Sequence, residues 1–303
     1  MKPYANMRPV LAVIYNPASR GFHRDQIEKI REYFELHNKD LEFFETHRKG
    51  DGSEIAHTLV SAQKPPEIIA GLGGDGTLNE IAQSLVHSPI PLGIIPAGTA
   101  NVLARDLRIP FPLLEACEVL ISGKIQTMPL GQVNLQGDSI SRFFLLMCGI
   151  GWDGFVCKSI NPKLKENFGK GAYAFETIRS VFTKKLEHFD IHTPEDTYLA
   201  STLIISITAH YGGNLALTPE ATPFDEEFHL FLLKSKTRTS LLEFLGRLSL
   251  GKTQTMKDVQ LVRSREISIH RPGISLQIDG DYLGETPATI TRIPDALRVI
   301  VPG

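Results

Sequence analysis

The chain has 303 residues, 42% of them apolar and 22% charged, which is the make-up of a globular protein with room for two domains. Its net charge of −2 gives no global reason to expect nucleic acid, and its longest apolar runs, such as Phe143–Cys148 and Leu203–Ile207, are too short to span a bilayer. Cys117, Cys148 and Cys157 lack C-x-x-C spacing and lie in or near apolar runs, as buried thiols in a reducing compartment do. Met1–Arg8 lacks the apolar core of a signal peptide, so a cytoplasmic protein is expected, soluble or peripheral to a membrane.

In chain order, Val10–Tyr15 reads as an apolar strand, and Asp25–His37 as a helix with Ile27, Ile30 and Phe34 on one face. Leu41–Glu45 is a second strand and Ser53–Ala62 a second helix. Pro65-Pro66 break the chain before the strand Glu67–Ala70. The segment Gly71–Glu80 follows as a glycine turn opening a helix. Thr77 and Glu80 stand at capping-box spacing there, which sets the helix start. Ile90–Ile95 is a further strand, Thr99–Asp106 begins another helix, and Pro112 opens one that runs to about Ile121. This alternation predicts an α/β fold, a doubly wound parallel sheet with helices on both faces and ligands beyond the carboxyl ends of the strands.

From about Pro129 the pattern turns β-rich. Short strands are predicted at Gly131–Leu135, Arg142–Cys148, Thr202–Thr208, Phe228–Leu233, Glu266–His270, Ser275–Ile278 and Leu297–Val301, with turns at Gly137-Asp138 and Gly280-Asp281. Helices are predicted over roughly Lys163–Lys185 and Ser240–Leu248. The expected organisation is a nucleotide-binding domain over 1–128 and a sandwich-like β-rich domain over 129–303, the last strand free to pack back on the first domain. Lys234–Arg271 carries nine Lys/Arg against three acids. That is either a solvated face or a surface for anionic lipid headgroups.

Three loops carry the chemistry. Gly71–Glu80 presents backbone N–H groups at a helix N-terminus, where phosphate is favoured. Asp75 would repel a bare phosphate, but it suits a metal-accompanied nucleotide. Gly71-x-Gly73-x-x-Gly76 matches a dinucleotide fingerprint, yet no acid ends the next strand to hold a ribose, and no Gly-Lys-Ser/Thr follows for a Walker A loop. Pro96–Asn101 repeats the strand, glycine, helix logic one strand on. Asn16–Gly21 follows the first strand at the same edge, with Arg20 and Arg24 either phosphate partners or simply solvated.

Gly73-Gly74-Asp75-Gly76-Thr77, with Asn16-Pro17 and Pro96–Asn101, resembles the diacylglycerol-kinase catalytic domain. Over nearly its whole length the chain resembles the soluble bacterial lipid kinases of that superfamily, which also holds the sphingosine and ceramide kinases and shares its Gly-Gly-Asp-Gly core with the NAD kinases. The resemblance implies an ATP- and Mg2+-dependent kinase acting in an interdomain cleft. It places nucleotide contacts at Asn16, Thr46, Gly73, Gly74, Asp75, Gly76, Thr77, Leu78, Asn79 and Thr99, with Asp75 serving a magnesium-linked network. It puts a regulatory magnesium on Thr222, Asp225 and Glu227, where Glu226 replaces the family's usual glycine.

In Asp279-Gly280-Asp281, a favoured hairpin turn, the family shows Asp-Gly-Glu, with its final carboxylate as proton acceptor. Asp281 occupies that place, one methylene short. Asp279 competes for the role, and Glu285 more weakly. Phosphoryl transfer asks mainly for positioning and charge neutralisation, with a carboxylate to take the hydroxyl proton. The acceptor expected is a lipid hydroxyl at a membrane surface: diacylglycerol, phosphatidylglycerol or a sphingoid base. An NAD kinase-like enzyme and a catalytically weak nucleotide-binding regulator are the alternatives. A homodimer could form through an edge strand.

Overall fold

Leu11–Ile14 are buried without exception, as a parallel strand covered on both faces requires. They belong to β1 (Leu11–Tyr15). The computed structural model describes residues 11–160 and 170–303, so Val10, the Met1–Arg8 reading and the first residues of the Lys163–Lys185 helix lie outside the described residues. β1 is followed by α1 (Asp25–Leu36), β2 (Leu41–Glu45), α2 (Asp51–Val60), β3 (Ile68–Gly73), α3 (Asp75–Leu85), β4 (Leu92–Pro96), α4 (Val102–Asp106) and α5 (Leu113–Ser122). The chain forms two compact units. The first runs to Pro129 and takes in Pro294–Gly303; the second is Leu130–Ile293.

In the first unit the strands lie in the order β2-β1-β3-β4, all parallel. Val299, from far along the chain, extends the sheet beside Leu92 of β4, again parallel. Helices cover both faces. A side chain at Gly93 would strike Leu120 of α5, and one at Gly71 would strike Leu78 and Ile81 of α3. Gly71 pairs with Ile94, the neighbour of Gly93, so those two helices lie on opposite faces. The chain leaves β1 towards β2 on one side and returns to β3 on the other. The winding direction reverses between β1 and β3, and the loops after these strands flank the crevice where doubly wound sheets bind ligands.

Two local expectations are corrected here. Thr77 does not cap α3: the helix starts two residues earlier, after Gly74. Glu80 instead accepts the N–H groups of Gly50 (2.9 Å) and Gly52 (3.1 Å) at the start of α2. α4 begins at Val102, not Thr99, because Asn101 takes a left-handed φ of 48° and its side chain closes a turn on Gly98 N–H and C=O.

The second unit contains the end of β5 (Lys124–Leu135), β6 (Arg142–Phe144), β7 (Met147–Gly151), α6 (Trp152–Ser159), α7 (Lys170–Thr183), β8 (Phe189–His192), β9 (Thr197–Ala200), β10 (Thr202–Ser206), β11 (His210–Tyr211) and β12 (Leu215–Ala216). It continues with β13 (Phe228–Leu233), α8 (Arg238–Ser249), β14 (Val259–Ser264), β15 (Glu266–Ile269), β16 (Ser275–Ile278), β17 (Asp281–Glu285) and the first part of β18 (Ala288–Val301). An antiparallel sheet runs β14-β13-β10-β7-β16-β17. Residues 288–291 of β18 pair with β15, which pairs with β8, and β8 with β9.

Alternate residues of the two layers fill one core. Leu203, Ile205, Phe228, Leu230 and Leu276 come from the first, and Ile191, Ile267, Ile269 and Ile290 from the second. This is the β-rich sandwich expected of the second half. The other face of the antiparallel sheet is covered by α6 and α8, where Phe244 packs on Phe231 and Trp152. Cys117 and Cys148 are buried and Cys157 partly so, all as free thiols. No helix among the described residues is long and apolar enough to cross a membrane.

Candidate active site

The loops at the carboxyl edge of the first sheet are laced together by backbone hydrogen bonds. Asn16 N–H donates to Leu72 C=O (3.2 Å), Ala97 N–H to Gly73 C=O (2.8 Å) and Gly21 N–H to Ala97 C=O (2.9 Å). Asn16 shapes its own turn by accepting Ala18 N–H at 2.9 Å. Thr46, buried, donates both its N–H and its hydroxyl to Tyr15 C=O. A methyl group on Gly98 would lie 2.4 Å from Gly74 Cα, so only glycine lets the turns after β3 and β4 touch. Thr77 and Leu78 point inward and are buried, Asn79 is half-buried beside Gln83, and Thr99 is exposed. Asn16, Thr46, Gly73–Asn79 and Thr99 therefore share one edge, on the loops after β1, β2, β3 and β4. The first turn of α3 supplies N–H groups that have no acceptor within the helix.

Asp75 is engaged by backbone. Its two carboxylate oxygens accept the N–H groups of Val102 and Leu103, each at 3.1 Å. Burial raises its pKa, while those N–H groups pull it down. It ties the start of α3 to the start of α4, and so fixes the turns after β3 and β4.

In the second unit, β16 and β17 form the expected hairpin, turning through Asp279 (φ 49°) and Gly280 (φ 86°). Asp281 is the first residue of β17, half-buried, opposite Ile278. Asp279 does not compete with it as a base. Its carboxylate accepts three backbone N–H groups, from Leu145 (2.8 Å), Leu146 (2.9 Å) and Met147 (3.0 Å). These bonds stabilise the charged form and occupy both oxygens. They also split the expected Arg142–Cys148 strand into β6 and β7. Glu285 is held by Lys158 at 2.7 Å.

Behind the turn lies a cluster missing from the sequence reading. Asp153, 2% exposed, accepts the Tyr211 hydroxyl on one oxygen and Gln277 Nε2 (2.8 Å) on the other. Gln277 Oε1 in turn accepts Gly280 N–H at 2.7 Å. Burial raises the Asp153 pKa, against the two hydrogen bonds. The chain Tyr211–Asp153–Gln277–Gly280 braces the residue preceding Asp281. Its signal in the sequence was a carboxylate beside the lone tryptophan in an apolar, glycine-flanked run.

Thr222, Asp225 and Glu227 do not fit a magnesium site. Asp225 accepts Thr222 N–H and hydroxyl, both at 2.9 Å, and faces His229 Nε2 at 2.8 Å. The buried guanidinium of Arg292 donates to the carbonyls of Asp225 and Pro223, and Glu226 pairs with Arg265. Around Asp225, the acceptors that a cation would use are taken by Thr222, His229 and Arg292. No cluster of three His, Cys, Asp or Glu suited to a metal occurs among the described residues.

Two family models match the chain. The diacylglycerol kinase catalytic domain matches residues 10–133, and the YegS C-terminal NAD kinase beta sandwich-like domain matches 147–301, more than half of the chain. The chain belongs to the bacterial lipid kinase family. A diacylglycerol kinase of Mycobacterium tuberculosis (strain H37Rv) is 28% identical to this kinase over 258 residues, covering 84% of this chain and 83% of its own. One of Staphylococcus saprophyticus is 25% identical over 303 residues, covering 98% and 96%. The crystal structure of a diacylglycerol kinase from Bacillus anthracis matches with a TM-score of 0.75 at 23% identity over 96% of both chains, a likeness of fold.

Proposed function

We propose that this kinase transfers the γ-phosphoryl group of ATP, bound with Mg2+, to the hydroxyl of a membrane lipid of the diacylglycerol, phosphatidylglycerol or sphingoid type. The observation that carries the reading is the set of loops at the switch point between β1 and β3, where glycine turns after β3 and β4 touch and are pinned by Asp75. The names of the relatives support a lipid acceptor over NAD.

Backbone N–H groups at Gly74–Thr77 and Thr99 hold the phosphate chain, with Asn16 and Thr46 shaping the neighbouring walls. Magnesium arriving with the nucleotide offsets phosphate charge. Asp281 takes the proton of the attacking hydroxyl, and the Gln277–Gly280 bond positions its backbone. The protein works in the cytoplasm and meets the membrane peripherally.

The test is incubation of purified protein with labelled ATP, Mg2+, a lipid panel and NAD. Label in a lipid is expected. Label in NAD alone would replace the proposal with an NAD-kinase activity, and ATP binding without transfer would make the protein a regulator.

A further inference from the structure

Over 175–183, α7 turns three of its four apolar side chains outward and buries two polar ones, with Val181 the apolar residue that packs inward. Phe175, Ile178 and Phe182 are 62%, 59% and 55% exposed, and their i, i+3, i+7 spacing puts them on one face. Glu176 and Ser180, which a water-facing helix would turn outward, are 6% and 0% exposed. Glu176 is held by Arg179, and the Ser180 hydroxyl donates to Thr177 C=O. A surface helix in water shows the opposite arrangement, so this face is built to be covered by something apolar.

Its charge surroundings indicate the cover. The acids on and just after the helix are each matched by an arginine, Glu176 by Arg179 and Glu187 by Arg271. Beyond those pairs stand Lys184, whose ammonium lies 4.8 Å from the Phe155 ring centroid, exposed Lys185, and Arg238, whose guanidinium donates to Phe182 C=O at 3.0 Å. An apolar stripe ending in a cationic cluster matches the boundary between acyl chains and anionic headgroups.

The basic stretch 234–271 is a weaker candidate. Its Arg263, Arg265 and Arg271 are paired with Glu220, Glu226 and Glu187.

We propose that the face of α7 bearing Phe175, Ile178 and Phe182 is the membrane-docking surface of this protein, seated in an anionic bilayer with Lys184, Lys185 and Arg238 at the headgroups. The choice of a bilayer as occupant rests on the lipid-acceptor reading above.

The test is flotation with vesicles of phosphatidylglycerol and phosphatidylcholine, against phosphatidylcholine alone. The triple variant Phe175→Ser/Ile178→Ser/Phe182→Ser should lose at least tenfold in affinity for the anionic vesicles, with an unchanged melting temperature. Leu36→Ser, at a residue 81% exposed on α1, should bind like the parent. As a check independent of the triple variant, the indole of Phe182→Trp should shift to shorter wavelength on vesicle addition.

Parent-like vesicle binding by the triple variant, or an unshifted Phe182→Trp indole, would overturn the proposal. So would self-association that the triple variant abolishes without changing vesicle binding, which would make the face a contact between copies. Vesicle binding that depends on the stripe, in a protein that phosphorylates no lipid, would leave the docking surface standing and remove the lipid-kinase reading alone.

Discussion

Asp279→Asn and Asp281→Asn separate an anchor from a base. The Asp279 carboxylate accepts three backbone N–H groups, two on Oδ1 and one on Oδ2. An amide offers one oxygen, so at least one N–H, that of Leu145 if the oxygen stays at the Oδ1 position, must face an NH2 group. A part-buried donor left unsatisfied costs about 1–3 kcal/mol, and loss of charge assistance on the other two bonds adds about 0.5–1 kcal/mol each. The sum is about 3 kcal/mol, or a fall of about 6–12 °C in melting temperature at the 2–4 °C per kcal/mol usual for a domain of this size. Asp281, half-buried at the start of β17, is the proposed base, so Asp281→Asn should lose about 10²–10⁴-fold in turnover, the contribution of a general base. Thermal melting by circular dichroism and transfer of labelled phosphate from ATP measure the two effects. A parent-like melting temperature with abolished turnover in Asp279→Asn, beside an active Asp281→Asn, would refute the assignment.

Gly98→Ala should push the turns after β3 and β4 apart, because its Cβ would sit 2.4 Å from Gly74 Cα; ATP affinity by calorimetry should fall at least about tenfold, since nucleotide phosphates are held by backbone in such turns. Arg292→Met strips the hydrogen bonds to the Pro223 and Asp225 carbonyls and should destabilise by about 2–4 kcal/mol in urea unfolding. Chelation with EDTA should leave the parent's melting temperature unchanged, because the guanidinium already meets those carbonyls; a fall on chelation would restore the metal to this loop.

Burial pushes the Asp225 pKa up, but the Thr222 N–H, His229 and the Thr222 hydroxyl outweigh it and hold the group below its ordinary 3.8. A carboxyl with a depressed folded pKa stabilises above its unfolded value and loses that contribution as pH falls through the folded one. Asp225→Asn should therefore flatten the loss of stability below about pH 4 in urea midpoints measured against pH.

The order of strands and helices in the first unit was legible because its signals are local: apolar runs such as Leu11–Ile14, glycines at strand ends, and short loops. β13 and β16 were legible for the same reason, their bounds following directly from apolar runs closed by turn residues. The contacts that decide chemistry were not local. Asp75 reaches backbone 27 positions on, and Asp279 reaches back 134, so two motif-borne carboxylates hold backbone that their own neighbourhood in the sequence does not reveal. Thr77 and Glu80 had capping-box spacing, yet Glu80 was drawn to α2 by a neighbour visible only in the fold. β8 and β14 escaped notice because their apolar residues are few and interleaved with polar ones. Asp153 escaped because its partners Tyr211 and Gln277 lie 58 and 124 positions further along the chain.

Val299 reaches β4 only after about two hundred further residues have been made. A ribosome therefore releases the first four parallel strands with the β4 edge bare, and holds them so throughout synthesis of the entire sandwich. An open edge is a template for pairing with other chains, so nascent chains are exposed to misassembly for that whole interval. Slowing translation through residues 130–293 should raise the aggregated fraction, and a segment carrying residues 294–301 supplied in trans should lower it.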